Sequence, residues 1–227
     1  GYGEDLKPYD LERTLLDGSA AQLQAAARQA AAPIWQFDWV NLARTVAGRT
    51  TRIPLPAPFT GQPLHALLFP DDEQAWVCTG ERGVLHYQQG QWQRERRLPE
   101  QACSSLALDA NGQLLLGYAD GRLRRMGATQ IETFDASHGL SVGPITAVLD
   151  HQDLLLVAGE AGLAVRPGNG RFVQVSTDMA GVMEGITGMV ADANGYLWLN
   201  GSRGLVRLGS DQLRRALRLS LIHISEP

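Results

Sequence analysis

The chain has 227 residues, 44% of them hydrophobic, enough to bury a sizeable core as one domain or as a piece of a larger one. A net charge of −4 argues against a nucleic-acid partner, and no apolar run reaches the ~18–20 residues that cross a bilayer. With 25 glycines and 11 prolines, the composition calls for many tight turns and points to an all-β chain.

One pattern recurs along the chain: an apolar start, Asp-x-Asn-Gly, an apolar triplet, about six residues, then Gly-Leu-x-Arg. The chain opens on Gly1 with no basic-then-apolar leader, which reads as a processed product or a fragment. Residues 1–16 read as the end of a preceding unit, with Leu6 in the Gly-Leu slot and Pro8 in place of the usual Arg. Residues 14–33 break the β rhythm. Ser19 can cap a helix over 20–32, where eight of thirteen residues are alanine, and Pro33 would end it. In repeat register the same stretch would instead be a first strand, with Leu23 at its apolar start. A short helical insertion near 19–32 is the expectation.

Five units follow, at about 33–60, 64–101, 104–143, 145–184 and 186–217. "PIWQFDWVNLARTVAG" opens the first; "LHALLFPDDEQAWVCTGERGVLHY" the second; "SSLALDANGQLLLGYADGRLRRM" the third; "ITAVLDHQDLLLVAGEAGLAVRP" the fourth; "ITGMVADANGYLWLNGSRGLVRL" the fifth. Their apolar triplets centre on 35, 76, 115, 156 and 198, in steps of 41, 39, 41 and 42. Each unit holds four strands of about five residues, the size of a β-propeller blade. Asp-x-Asn-Gly suits a hairpin turn, since Asp and Asn accept local backbone bonds and Gly takes positive φ. A calcium-loop reading of Asp192 and Asn194 fails for want of further acidic ligands and a distal Glu. The triplet is expected as a strand covered on both faces, with Trp35, Trp76 and Trp198 as wedges between blades rather than ligand platforms. On the strand after it, Leu205 is expected inward and Arg207 outward. The fold expectation is therefore an incomplete β-propeller of about five blade-like repeats of ~41 residues.

Cys78 and Cys103 have no metal spacing; two buried thiols are expected, with a disulfide between neighbouring units as the alternative. The arginine runs at 94–100 and 122–126 read as solvated faces, and "GNG" at 168–170 as a hairpin turn.

"ITGMVADANGYLWLNGSRGLVRL" resembles the two-component regulator propeller repeat, with Asn200-Gly201-Ser202 in its Gly-Thr region. Residues 134–175, including the "HGL" before a new blade, are similar to sensor propellers that precede a membrane helix and a histidine kinase in Gram-negative bacteria. The match is good over 64–217 and loose over 1–63. It implies a periplasmic ligand-sensing segment that signals to a kinase or cyclase output domain of the same parent chain, with a small-molecule or glycan ligand and a homodimer as one assembly. Contact with the membrane would come only through a transmembrane segment that this chain lacks. The final residues 218–227 continue no blade and read as a non-native tail, so His223 carries no functional weight.

An enzyme would need converging polar groups. His65, His86, His138 and His151 have no metal or catalytic spacing, and neither Gly-x-Ser-x-Gly nor a phosphate loop is present. No catalytic, cofactor or metal residue is assigned and no cofactor is expected; the fragment reads as a non-enzyme. A propeller glycoside hydrolase or lyase of the Asp-box type is the alternative, and a protein-binding scaffold propeller the third reading. Ligand contacts would fall on loops such as 135–144 and 176–185.

Overall fold

A computed structural model describes residues 34–57, 59–80, 82–175 and 181–223, with side chains through Leu217. The readings of residues 1–16, of the helical insertion and of the last four residues lie outside these. The chain divides into two compact units, Gly1–Gln62 and Pro63–Pro227.

The described residues of the first unit form one antiparallel sheet, β1 (Ile34–Phe37), β2 (Asn41–Val46) and β3 (Arg49–Pro54), in that order. Trp35 pairs across to Arg44, whose guanidinium lies 6.0 Å from the ring centroid. The β1–β2 turn is closed by Asp38, which accepts bonds from the Asn41 and Val40 amides at 2.6 and 3.1 Å. Leu42, Ile53, Leu55 and Phe59 are buried.

The second unit stacks four antiparallel sheets, each a simple meander. The first has β4 (Leu64–Leu68), β5 (Ala75–Thr79), β6 (Gly83–Gln88) and β7 (Gln91–Arg94). Then come β8 (Cys103–Leu108), β9 (Leu114–Tyr118), β10 (Leu123–Met126) and β11 (Ile131–Phe134). The third has β12 (Ile145–His151), β13 (Leu154–Gly159), β14 (Gly162–Pro167) and β15 (Val173–Gln174). The last has β16 (Gly188–Ala191), β17 (Tyr196–Gly201) and β18 (Gly204–Gly209), followed by a helix, α1 (Ser210–His223). This is the blade order of a β-propeller.

The second strand of each sheet explains the stacking. Side chains alternate faces along a strand, so an all-apolar run such as Leu154–Gly159 feeds two interfaces at once. Leu155 and Val157 join Leu115, Leu123 and Phe134 of the preceding sheet; Leu154, Leu156 and Ala158 join Ile186, Leu197 and Leu199 of the next. A third cluster, with Cys78, Val84, Leu114 and Leu116, fills the space between the first two of these sheets. Burying each Leu or Val contributes roughly 1.5–3 kcal/mol.

The repeat register survives as a cross-strand pair. Trp76 faces His86, Leu115 faces Arg125, Leu156 faces Val165 and Trp198 faces Arg207, as Trp35 faces Arg44 in the first unit. Trp76 is a wedge, packed against the cluster around Cys103 and Leu116. Trp198 is partly buried too, but Val190 opposite it is 59% exposed, so its strand is covered on one face, not two.

Two sequence expectations are overturned on β18 and β10. Leu205 points outward and is 65% exposed, while Val206 and Leu208 pack on the core, because register places them opposite the buried Leu199 and Leu197. Of the arginines of 122–126, Arg122 is more than half exposed, but Arg124 and Arg125 do not form a solvated face. Arg124 lies over the Tyr118 ring at 4.8 Å, and Arg125 lies over Phe134 at 5.6 Å while ion-paired to Asp109 and Glu132. Long cationic stems cover apolar surface while their heads find carboxylates.

Where the last repeat was expected to run to 217, its third strand ends at Gly209 and α1 begins. Leu213 and Leu217, four apart on one helical face, enter the same cluster as Leu154 and Leu156, and Asp211 in the first turn favours the positive helix end.

Candidate functional site

The ends of the sheets carry the polar residues, and most are committed to holding turns. In the Asp-x-Asn-Gly hairpins, Asp109 Oδ1 accepts from the amides of Asn111 and Gln113, both at 2.9 Å; Asp192 Oδ1 does the same for Asn194 and Tyr196. Gly112 and Gly195 take φ of 73° and 80°. Asp192 also receives the Trp198 indole N–H at 2.9 Å, and that bond above all holds its carboxyl below the usual range. The turn reading of these aspartates is correct.

At the opposite end, residues 135–144 carry the chain from β11 to β12 and are built for packing. A 3-10 turn, Ala136–His138, is capped by Asp135, which accepts from the Ser137 hydroxyl at 2.6 Å and amide at 2.9 Å, with His138 Nδ1 at 3.0 Å. These bonds hold the Asp135 carboxyl at about 2. Gly139 closes the turn at φ 85°, a conformation glycine adopts freely, and a Cβ there would collide with the Phe172 carbonyl oxygen. Leu140 and Val142 are buried, and the Arg171 guanidinium donates to the Ser137 carbonyl. Of the second expected loop, 176–185, only residues 181–185 are described; Met183 is buried and Gly185 N–H donates to the Glu160 carbonyl.

An open concavity lies elsewhere among the described residues. A cleft of about 600 Å³ is lined by Asp71, Asp72, Glu73, Gln74, Gln88 and Gln89, between the β4–β5 turn and the tip of the β6–β7 hairpin. Gln74 donates to Asp71 at 2.6 Å and meets His86 Nε2 at 3.2 Å. His86 in turn lies flat on Trp76, ring centroids 3.9 Å apart, and burial lowers its pKa. The lining offers carboxylates and amides and no cation, a surface suited to hydroxyl-rich or cationic ligands rather than anions. Aligning repeats cannot find this cleft, because the "FPDDEQ" turn departs from Asp-x-Asn-Gly.

The cysteines form a disulfide, with Cα atoms 5.7 Å apart, which corrects the expectation of two thiols. The reason lies in the repeat. Cys78 occupies the position of Gly117 and Ala158, two after the wedge residue, and Cys103 that of Ile145, which opens the next inner strand, and of Ile186, which lies just before one. A Cβ on Gly117 would strike the Ile145 side chain, and Ala158 shares a cluster with Ile186, so the next two pairs of sheets pack at the same position. The bond therefore staples the first two sheets of the second unit through a contact the fold makes anyway.

The four histidines whose side chains are described do not converge. His86 stacks on Trp76, His138 caps a turn, His151 ends β12 and His65 lies beside Gly80. Among the described residues no group of three or more His, Cys, Asp or Glu side chains could hold a metal ion, and no helix is long and apolar enough to cross a membrane.

No family model and no curated protein matches the sequence. Solved structures do. The chain is similar to the extracellular domain assigned to a one-component system of B. thetaiotaomicron, with 16% identity and a TM-score of 0.66 over 81% of this chain and 26% of that one. It is similar to the extracellular domain assigned to a hybrid two-component system of the same organism: 12% identity, TM-score 0.63, 79% of this chain and 27% of that one. It is also similar to virginiamycin B lyase from Staphylococcus aureus, at 14% identity and a TM-score of 0.60, over 78% of this chain and 66% of that one. At these identities the likeness establishes the fold: this is a β-propeller chain, and it spans about a quarter of the length of the two signalling-protein domains.

Proposed function

We propose that this chain is part of an extracytoplasmic ligand-sensing propeller that feeds a kinase or cyclase output domain of the same polypeptide. The observation that carries the reading is the Cys78–Cys103 bond, buried between two blades, since such a bond persists in an oxidising compartment such as the periplasm. The likeness to extracellular domains of signalling proteins supports it, as does the resemblance of residues 186–208 to the two-component regulator repeat. The cleft at Asp71–Gln74 and Gln88–Gln89 is a ligand contact surface in this reading, and its donors and acceptors suit a glycan or another hydroxyl-rich small molecule.

A second reading, a propeller lyase, is favoured by the likeness to virginiamycin B lyase. It requires an acid–base pair facing one cavity, and the described histidines are spread over separate turns and strands.

Sequencing the gene on both sides of these 227 codons tests the proposal. A membrane span and a kinase or cyclase core in the same frame are expected. A frame closed without either, with a lyase active in the recombinant whole protein, would overturn it.

A further inference from the structure

The described part of the first unit leaves one sheet edge open. Strand order puts β3 on the outside, and a two-residue turn, Ala47 and Gly48 at φ 47° and 79°, fixes which of its groups face out. In such a hairpin the residues flanking the turn, Val46 and Arg49, exchange main-chain bonds, as do Arg44 with Thr51 and Leu42 with Ile53. The N–H and C=O groups of Thr50 and Arg52 therefore point away from β2, and among the described residues no main-chain bond reaches them. Arg49, Thr50, Thr51 and Arg52 are exposed, four in succession.

The side chains along this edge are cationic and uncommitted. Among the described residues Arg49 and Arg52 form no ion pair. The carboxylate that feels Arg52 is Asp38, lowered mainly by bonds from Asn41 and least by that arginine. On the outer strands of the second unit the charges are spent: Arg94 on β7 is paired to Glu100, and Glu132 on β11 to Arg125. β3 is also longer, six residues against four, four and two for β7, β11 and β15. At the Pro54 end of the sheet two large apolar side chains stay in water, Trp39 at 59% and Val40 at 46% exposure. Trp39 sits at φ 69°, unusual for a bulky residue, and its turn is pinned to the chain leaving β3: Leu55 N–H donates to the Val40 carbonyl at 2.9 Å and Gly61 N–H to that of Trp39 at 2.7 Å.

We propose that β3 is a docking edge for an extended acidic segment of a partner protein, which adds a strand to this sheet. The Thr50 and Arg52 main chains supply the ladder. The segment carries carboxylates three residues apart, on opposite faces of its strand as Arg49 and Arg52 are on theirs. Each opposite-charge pair across the strands favours the docked state. An apolar residue beyond the carboxylate facing Arg52 lies toward Trp39 and Val40, whichever way the segment runs. A second copy is the poorer occupant: edge-to-edge pairing of two β3 strands lines four arginines along one seam, with no carboxylate on either strand. The edge lies in the first unit and the cleft in the second, so docking here does not depend on the cleft taking a ligand.

The test titrates the whole 227-residue chain with acetyl-Leu-Thr-Glu-Thr-Thr-Glu-Thr-amide and follows amide shifts and hydrogen exchange by NMR. Saturable binding is expected, with exchange slowed at the outward Thr50 and Arg52 amides more than at Thr51, which is already bonded to β2. Arg49→Glu with Arg52→Glu should weaken binding roughly tenfold and admit the same peptide with both glutamates replaced by lysine. Thr50→Pro removes one outward N–H and no bond to β2, so it should weaken binding while leaving the melting temperature near that of the wild type. No binding, protection confined to another strand, equal affinity for the lysine peptide, or equal affinity for an acidic peptide with proline at alternate positions overturns the proposal. So does a concentration-dependent dimer of the free chain with the same amides protected, which would assign the edge to a second copy.

Discussion

Replacing Cys78 and Cys103 together by alanine opens a loop whose ends are 25 residues apart, and in the chain-entropy model closing such a loop stabilises the native state by about 3.5 kcal/mol. Alanine at 78 reproduces what the chain uses at 158, so the variant leaves that side of the junction natural; alanine at 103 leaves a smaller side chain than the isoleucines at 145 and 186 and adds a cavity. The expected loss is therefore about 3.5 kcal/mol or somewhat more, a drop in melting temperature of roughly 7–14 °C for a domain of this size. Urea unfolding with and without reductant reads it directly. The oxidised wild type should unfold at higher urea than the double variant, and wild type reduced in denaturant should fall to a similar midpoint. Both cysteines should resist alkylation until the chain is reduced, since both are buried and bonded. Two alkylatable thiols in unreduced, unfolded protein, or coincident midpoints for all samples, would refute the reasoning.

Thr146→Val removes the hydroxyl that joins two sheets and leaves the Ile186 carbonyl short of a donor; a loss of about 1 kcal/mol in urea unfolding is expected, and none would show the link to be idle. Gly139→Ala forces a side chain into positive φ and onto the Phe172 carbonyl, so it should cost at least ~1 kcal/mol, whereas Gly90→Ala meets open space and should suffer from φ alone. Asp135 titrates at about 2 instead of 3.8, so its contribution is complete above pH 3.8 and is lost as pH falls through about 2. Carboxyl NMR should place its midpoint near 2, and Asp135→Asn should remove the corresponding part of the acid sensitivity.

The repeat was legible because its period is carried by residues that geometry fixes: glycine at positive φ in the Asp-x-Asn-Gly turns and an apolar triplet that both neighbours must cover. The phase of β18 was not. "GLVRL" offers apolar residues on both faces, and only the register against Leu197 and Leu199 shows that Val206 and Leu208 take the core. The disulfide was readable in principle, by placing Cys78 over Gly117 and Cys103 over Ile145; spacing within the sequence says nothing, since 25 residues separate positions that the sheet stack makes adjacent. The helix was signalled by Leu213 and Leu217, four apart, against the expectation of a fourth strand. The cleft was hidden for the opposite reason: it lies where the second repeat abandons the shared turn, and a reading built on similarity passes over departures.

Under mechanical load the Cys78–Cys103 link acts as a stop. Pulled from its carboxyl end, the stack can shed sheets singly through junctions held by side-chain packing and hydroxyl bonds, until extension reaches the covalent link. The 25-residue span beyond it then contributes no length, so an oxidised molecule should come up short of the reduced one by roughly 80–90 Å when fully stretched. A tether drawn taut through this chain would thus pass its force through Cys78 and Cys103 and spare Gln88 and Gln89 of the cleft, which lie inside the protected loop, while Asp71–Gln74, just ahead of it, would bear the load.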